Sequence, residues 1–109
     1  MKPTKVREQN FWEWCGFEFR KDWSEHQPYK DPDGVILQHD TPIDLNNLFK
    51  WGIDPNEYIT EVSFVKGECQ IATRGLNNKG VQYFTGKDED RALALFWAID
   101  KVREAENED

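Results

Sequence analysis

The pattern of apolar and polar positions is clearest in the last quarter of the chain, where it predicts an amphipathic helix. Apolar side chains recur there at intervals of three and four residues, the spacing of a buried helix face. They are Ala92, Leu95, Phe96, Ile99 and Val102. Three carboxylates at 88–90 precede this stripe, where the positive end of the helix dipole favours them. We expect a helix over residues 89–103, followed by an acidic tail at 104–109 that frays because polar termini are rarely held down.

Alternating patterns upstream of this helix predict strands. Residues 58–65, 69–73 and 81–85 alternate as half-buried strands do, and glycine-containing connections separate them. These strands should form an antiparallel meander with one face covered. Before the first strand, Thr41 can cap a helix over 42–51, whose first residue is proline and whose end is marked by Gly52.

The first forty residues are less regular. A short helix is expected from Lys5 to Cys15, because the glycine at position 16 suits the residue that follows a helix. A strand then begins at Phe17, and the segment Asp31-Pro-Asp-Gly34 predicts a hairpin tip before a return strand at 35–37. The chain is therefore expected to be a single α+β domain over 1–109. Helices would pack on a small antiparallel sheet as a two-layer or α/β sandwich, in the order helix-strand-strand-strand-helix over 41–103.

Composition supports a folded domain of acidic character. The 109 residues include five Trp, seven Phe and three Tyr, and buried rings supply apolar area that offsets chain entropy. The net charge is −7, divided into +1 over residues 1–30 and −8 over residues 31–109. No apolar run approaches the ~20 residues of a membrane helix, and the first residues lack the apolar core of a signal peptide. We expect a cytoplasmic protein that does not bind a membrane.

The residues that could carry catalysis or bind a metal are scattered. The candidate metal ligands are Cys15, His26, His39, Asp40 and Cys69, and none of them is paired at a ligand spacing. The two cysteines are expected to be reduced thiols, although spacing alone leaves a disulfide between them open. No serine lies in a nucleophile elbow, and no glycine pattern suits a phosphate cradle. We therefore predict a protein that is not an enzyme and that has no metal or cofactor.

Nucleic-acid binding is the third of three functional hypotheses. A helix, three strands and a helix follow one another in the double-stranded-RNA-binding domain, which grips phosphates with basic residues at the start of its last helix. Here residues 87–91 hold two basic and three acidic side chains. The acidic balance disfavours contact with a phosphate backbone.

Two kinds of binding function rank above it. Leu93 and Trp97 fall about a third of a turn off the buried stripe, so either the Trp-rich N-terminal segment or another molecule covers them. The first hypothesis is protein binding, by self-association through this pair or by docking of an acidic surface that includes Asp88, Glu89 and Asp90 on a basic partner. The alternative is a module that binds a small ligand or nucleotide in an aromatic pocket. The pocket would be lined by Trp12, Trp14, Trp23 and Trp51.

Three segments together resemble a known group of proteins. They are Phe11-Trp12-x-Trp14-Cys15-Gly16-Phe17, Ile43-Asp-Leu-Asn-Asn-Leu-Phe-Lys-Trp51 and Ala92-Leu-Ala-Leu-Phe-Trp-Ala-Ile99. This spacing of aromatic and aliphatic residues resembles short uncharacterised proteins of phages, prophages and environmental bacteria that are similar to the phage ABA sandwich domain. The resemblance covers residues 10–102 and implies a small α/β sandwich, but it transfers no catalytic residue. The irregular stretch at 22–38 departs from it.

Overall fold

A computed structural model describes residues 1–19, 29–37 and 41–107 of the chain. They form two compact units, one of Pro3–Pro42 and one of Met1–Lys2 with Ile43–Asp109. We call these the N-terminal unit and the C-terminal unit.

The N-terminal unit combines one helix with a small sheet. Helix α1 (Lys5–Trp14) begins where the Thr4 hydroxyl accepts a hydrogen bond from the Arg7 N–H at 3.2 Å. It ends as predicted, because Gly16 takes a φ of +106° that residues with a Cβ rarely adopt. Strands β1 (Glu18–Phe19), β2 (Tyr29–Lys30) and β3 (Ile36–Leu37) pair antiparallel in that order.

The predicted hairpin tip connects β2 to β3. The Asp31 carboxylate accepts hydrogen bonds from the N–H groups of Asp33 and Val35, each at 2.9 Å. Gly34 has a φ of +87° and donates to the Asp31 carbonyl. The turn prediction is therefore confirmed, since an aspartate side chain that bonds its own backbone two residues on is what favours it in turns.

The C-terminal unit contains the predicted three-stranded meander. Strands β4 (Ile59–Val65), β5 (Glu68–Arg74) and β6 (Val81–Lys87) pair antiparallel in the order β4-β5-β6. The register of β4 shifts between Ile59 and Glu61, whereas β6 pairs with β5 without interruption over all seven residues. A short 3₁₀ turn (Leu76–Asn78) connects β5 to β6. This unit confirms the α+β class and the predicted order of its elements.

The helix before the sheet starts later than the sequence predicts. Thr41 was expected to cap a helix over 42–51, but helix α2 spans Leu45–Leu48 and Asp44 is its cap. The Asp44 carboxylate accepts from the Asn47 N–H at 2.8 Å, and aspartate is a stronger cap than threonine. A π-helical turn over Phe49–Ile53 then replaces the rest of the predicted α-helix.

Helix α3 (Arg91–Glu106) packs on β5 and β6 and supplies six of the eleven buried apolar side chains described in this unit. Leu95, Phe96, Ile99 and Val102 of the predicted stripe are fully buried, and Ala92 is half-buried. The helix continues three residues beyond the predicted end at 103. Asn77 explains the extension, since its side-chain amide donates to the Ala105 carbonyl at 2.7 Å and holds the last turn.

Candidate functional site

Two of the three carboxylates at the start of α3 bond to neighbouring groups of the chain. The Asp90 side chain caps the helix by accepting from the N–H groups of Ala92 and Leu93, at 2.8 and 3.2 Å. The Asp88 carboxylate bonds the N-terminal ammonium and the Asp90 N–H. These two hydrogen bonds, the ammonium first, lower the pKa of Asp88. Glu89 is exposed.

Leu93 and Trp97 lie together on α3, and both are half-buried. The Trp97 indole N–H donates to the Met1 carbonyl at 2.9 Å, and its ring meets the Phe96 ring edge-on at 5.2 Å. Met1, which belongs to the same unit, therefore contacts this part of the helix. Among the described residues, the large apolar side chains that are more than half exposed lie elsewhere. Those in the sheet of β4, β5 and β6 are Val65, Val81 and Tyr83.

The tryptophans proposed for an aromatic pocket are distributed over the two units. In the N-terminal unit, Trp12 is 2% exposed against Phe11 and Phe17, and Trp14 is half-buried. In the C-terminal unit, Trp51 is half-buried in the π-helical turn, with the Lys50 ammonium 4.6 Å from its ring centre. Trp23 lies outside the described residues.

The candidate metal ligands give no cluster within the described ranges. Among residues 1–19, 29–37 and 41–107, no three His, Cys, Asp or Glu side chains lie close enough to hold an ion. Neither Cys15 nor Cys69 forms a disulfide within the described part of the chain, and burial raises the pKa of the Cys69 thiol to about 11. His26, His39 and Asp40 lie outside the described residues. No helix in the described part of the chain is long and apolar enough to cross a membrane.

The geometry of β6 identifies a different candidate site, at the edge of the sheet. Backbone groups of a strand point alternately to either side. Gly80 accepts from the Gly75 N–H and Asp88 donates to the Gly67 carbonyl, so the even-numbered residues between them bond towards β5. The N–H and C=O groups of Val81, Tyr83 and Thr85 therefore point out of the sheet. Within the described residues, β6 has no neighbouring strand on that side.

One group on this edge has a partner from α3. The Lys101 ammonium donates to the Thr85 carbonyl at 2.6 Å. Lys101 is exposed. Its side chain extends from α3, which packs on one face of β6, to the carbonyl at the strand edge. Lysines are common at open sheet edges, where they disfavour unselective pairing. Lys101 bonds only one backbone group of this edge, so the outward groups of Val81 and Tyr83 have no such partner from α3.

A cleft of about 310 Å³ lies between β6 and the last turns of α3. Its lining residues are Asn77, Lys79, Gln82, Phe84, Lys101, Glu104 and Ala105. Lys79 and Lys101 outweigh Glu104 by one formal positive charge, in a protein whose net charge is −7. The cleft thus has an ammonium at the sheet edge and another in the loop that leads into β6.

Two buried polar atoms next to the cleft are unsatisfied within the described part of the chain. They are Oε1 of Gln82 and Oγ1 of Thr73, which belong to residues paired directly across β5 and β6. Gln82 also lines the cleft. Buried polar atoms are nearly always bonded in folded proteins, so an unsatisfied pair calls for an explanation.

Sequence reasoning did not find this site. Lys79 and Lys101 lie in different elements, and only the packing of α3 on β6 brings both to the cleft. No local sequence pattern distinguishes these two lysines from the other basic residues of the segment 31–109.

Comparison with known proteins gives no relative. No family model matches this chain. No curated protein and no solved structure matches it either. The resemblance to the phage ABA sandwich domain therefore stays a prediction, and function has to be argued from the edge of β6.

Proposed function

We propose that this protein binds other proteins by accepting an extended segment of the partner as an additional strand along β6. The observation that carries the proposal is the row of outward backbone groups at Val81, Tyr83 and Thr85, of which the Thr85 carbonyl is bonded by a flexible lysine. Strand addition uses such groups for affinity and the adjacent side chains for specificity. Tyr83 and Val81 are 65% and 55% exposed, and they offer a contact surface on the sheet face away from α3.

The other edge of the sheet is less suited to strand addition. Strand β4 has an irregular register between Ile59 and Glu61, and a bulge of this kind twists an edge away from regular pairing. Strand β6 keeps an uninterrupted register over seven residues, enough for a mean-length strand to pair along it.

Self-association through β6 is less favourable than pairing with a different protein. A two-fold antiparallel pairing centred on Tyr83 would place Lys79 opposite Lys87 of the second copy, and like charges directly opposite each other destabilise a sheet. The two copies would also each carry a net charge of −7. A partner protein of different sequence avoids both costs.

The test is a selection of peptides from a random library on the full chain, followed by hydrogen exchange of the complex. Bound peptides should slow exchange of the Tyr83 and Thr85 amides, because these N–H groups would enter a new ladder. Tyr83→Pro removes one outward N–H without removing a bond to β5, so it should abolish binding. Tyr83→Ala keeps the N–H and serves as the control for loss of the ring.

Stability of the variants separates loss of binding from loss of folding. Proline is tolerated at an edge position whose N–H faces solvent, so Tyr83→Pro should still melt cooperatively. Peptides that bind the wild type and the folded proline variant equally, or that leave the Tyr83 and Thr85 amides unprotected, would refute strand addition at β6.

A further inference from the structure

We infer that the segment docking on β6 carries a carboxylate side chain, which enters the cleft between β6 and α3 and pairs with Lys101 and Lys79. This inference rests on the proposed function and specifies the chemistry of the partner. The position of the cleft relative to an added strand supports this inference. Side chains of an added strand alternate between the two faces of the sheet, so every second one lies on the face that α3 covers. On that face, next to the β6 edge, is the cleft.

The hydrogen bond between Lys101 and Thr85 supplies the chemical reason for a carboxylate. An added strand would use the Thr85 carbonyl as an acceptor for one of its own N–H groups, and Lys101 now bonds that carbonyl at 2.6 Å. Docking therefore displaces the ammonium from its acceptor. An acidic side chain on the incoming strand gives the displaced ammonium a charge-assisted hydrogen bond, which is stronger than the bond to a neutral carbonyl that it replaces.

The remaining cleft residues favour the same occupant. Lys79 and Lys101 together exceed Glu104 by one positive charge, which a single carboxylate neutralises. The Gln82 amide oxygen accepts no hydrogen bond from a described residue. Gln82 also lines the cleft, and the NH₂ group of its amide is a donor from which a carboxylate can accept a hydrogen bond.

The experiment uses the peptides selected on the full chain and asks which residues they share. We expect aspartate or glutamate to be enriched at one position, and replacement of that residue by its amide to weaken binding about tenfold, the loss of one charge-assisted bond. Lys101→Gln should weaken the same peptides about as much. The two changes together should cost little more than either alone, because they remove the same interaction.

Lys66→Gln is the matched control, since Lys66 is an exposed lysine in the turn between β4 and β5. It removes the same charge from the protein but should leave peptide affinity unchanged. Lys79→Gln should also weaken binding of these peptides, because the inference pairs the carboxylate with this ammonium as well.

The possible failures are distinguishable. Peptides that protect the Tyr83 amide but show no acidic preference and bind Lys101→Gln normally would refute the carboxylate and leave strand addition standing. Peptides that never protect Tyr83 would refute both. Free glutamate that shifts the NMR signals of Lys101 and Gln82, with no acidic preference among the peptides, would assign the cleft to a small carboxylate and so overturn the inference.

Discussion

Gly86 is a position where the addition of a single methyl group should strongly destabilise the protein. It lies in β6 beneath α3, and a methyl group there would overlap the Ala94 carbonyl oxygen and the Ala98 nitrogen. It would also lie 3.0 Å from the Trp97 carbonyl carbon. All three are backbone atoms of the helix, so no side chain can rotate to make room. Gly86→Ala therefore requires α3 to move away from the strand.

The loss of stability follows from the packing contacts that weaken when α3 moves away from the sheet. Leu95, Phe96, Ile99 and Val102 are fully buried on α3, and a gap of ~0.5–1 Å forfeits a quarter to a half of each dispersion contact across it. Overpacking a core costs about 1–3 kcal/mol where side chains can adjust, and here only the backbone can. We expect the free energy of unfolding to fall by about 3 kcal/mol, which is about 12 °C in melting temperature for a domain of this size.

Thermal and urea unfolding followed by circular dichroism measure this cost, with Gly80→Ala as the control. A methyl group at Gly80 would meet nothing within 4 Å, so this variant should melt at or slightly above the wild type. A Gly86→Ala protein that melted within about 2 °C of the wild type would refute the reasoning, because α3 would then not lie against the strand as closely as described.

Three further predictions follow from the described contacts. Asp90→Ala removes the cap of α3 and should lower the free energy of unfolding by about 1 kcal/mol in urea titrations, whereas Glu89→Ala should change it little. In the folded Cys15→Ser protein, Ellman's reagent should fail to react at pH 8 until urea is added, because the buried Cys69 thiol has a pKa of about 11. Stability should also decline as pH rises from 9 to 11, where the thiol ionises only in the unfolded chain. The lowered pKa of Asp88 stabilises the fold above the ordinary aspartate pKa, and this contribution is lost as pH falls through the lowered value. N-terminal acetylation should raise that pKa in an NMR titration, and an unchanged value would contradict the ammonium contact.

The fold of the C-terminal unit was largely predictable because its main signals are local. The stripe on α3 repeats at helical spacing, and four of its five residues are fully buried. The strands alternate, and the glycine in the turn before β5 has the φ of +76° that a tight connection requires. The start of α2 was mispredicted because Thr41 and Asp44 are both capping residues three positions apart, and only the hydrogen bond to Asn47 decides between them.

The candidate site was not predictable, because an edge is a property of strand order and not of any one strand. The alternation in β6 does not say whether its outward groups meet another strand or solvent. The cleft likewise joins a loop residue, Lys79, to Lys101 on a helix that follows later in the chain. The charge pattern predicted a binding surface at the acidic residues 88–90 instead. In the structure, the carboxylates of Asp88 and Asp90 accept hydrogen bonds from backbone N–H groups at the start of α3.

The close contact at Gly86 and the candidate site are mechanically connected. Because Gly86 has no side chain, Ala94 and Ala98 lie directly against β6, and Lys101 follows Ala98 by about one turn of the same helix. That proximity lets the Lys101 side chain reach around the strand to the carbonyl of Thr85, the residue next to Gly86. A helix displaced by Gly86→Ala would withdraw the lysine from the edge carbonyl. Gly86 therefore allows both the close packing of α3 on β6 and the hydrogen bond from Lys101 to the strand edge. A Gly86→Ala protein that is destabilised but still folded should for this reason bind acidic peptides more weakly than the wild type.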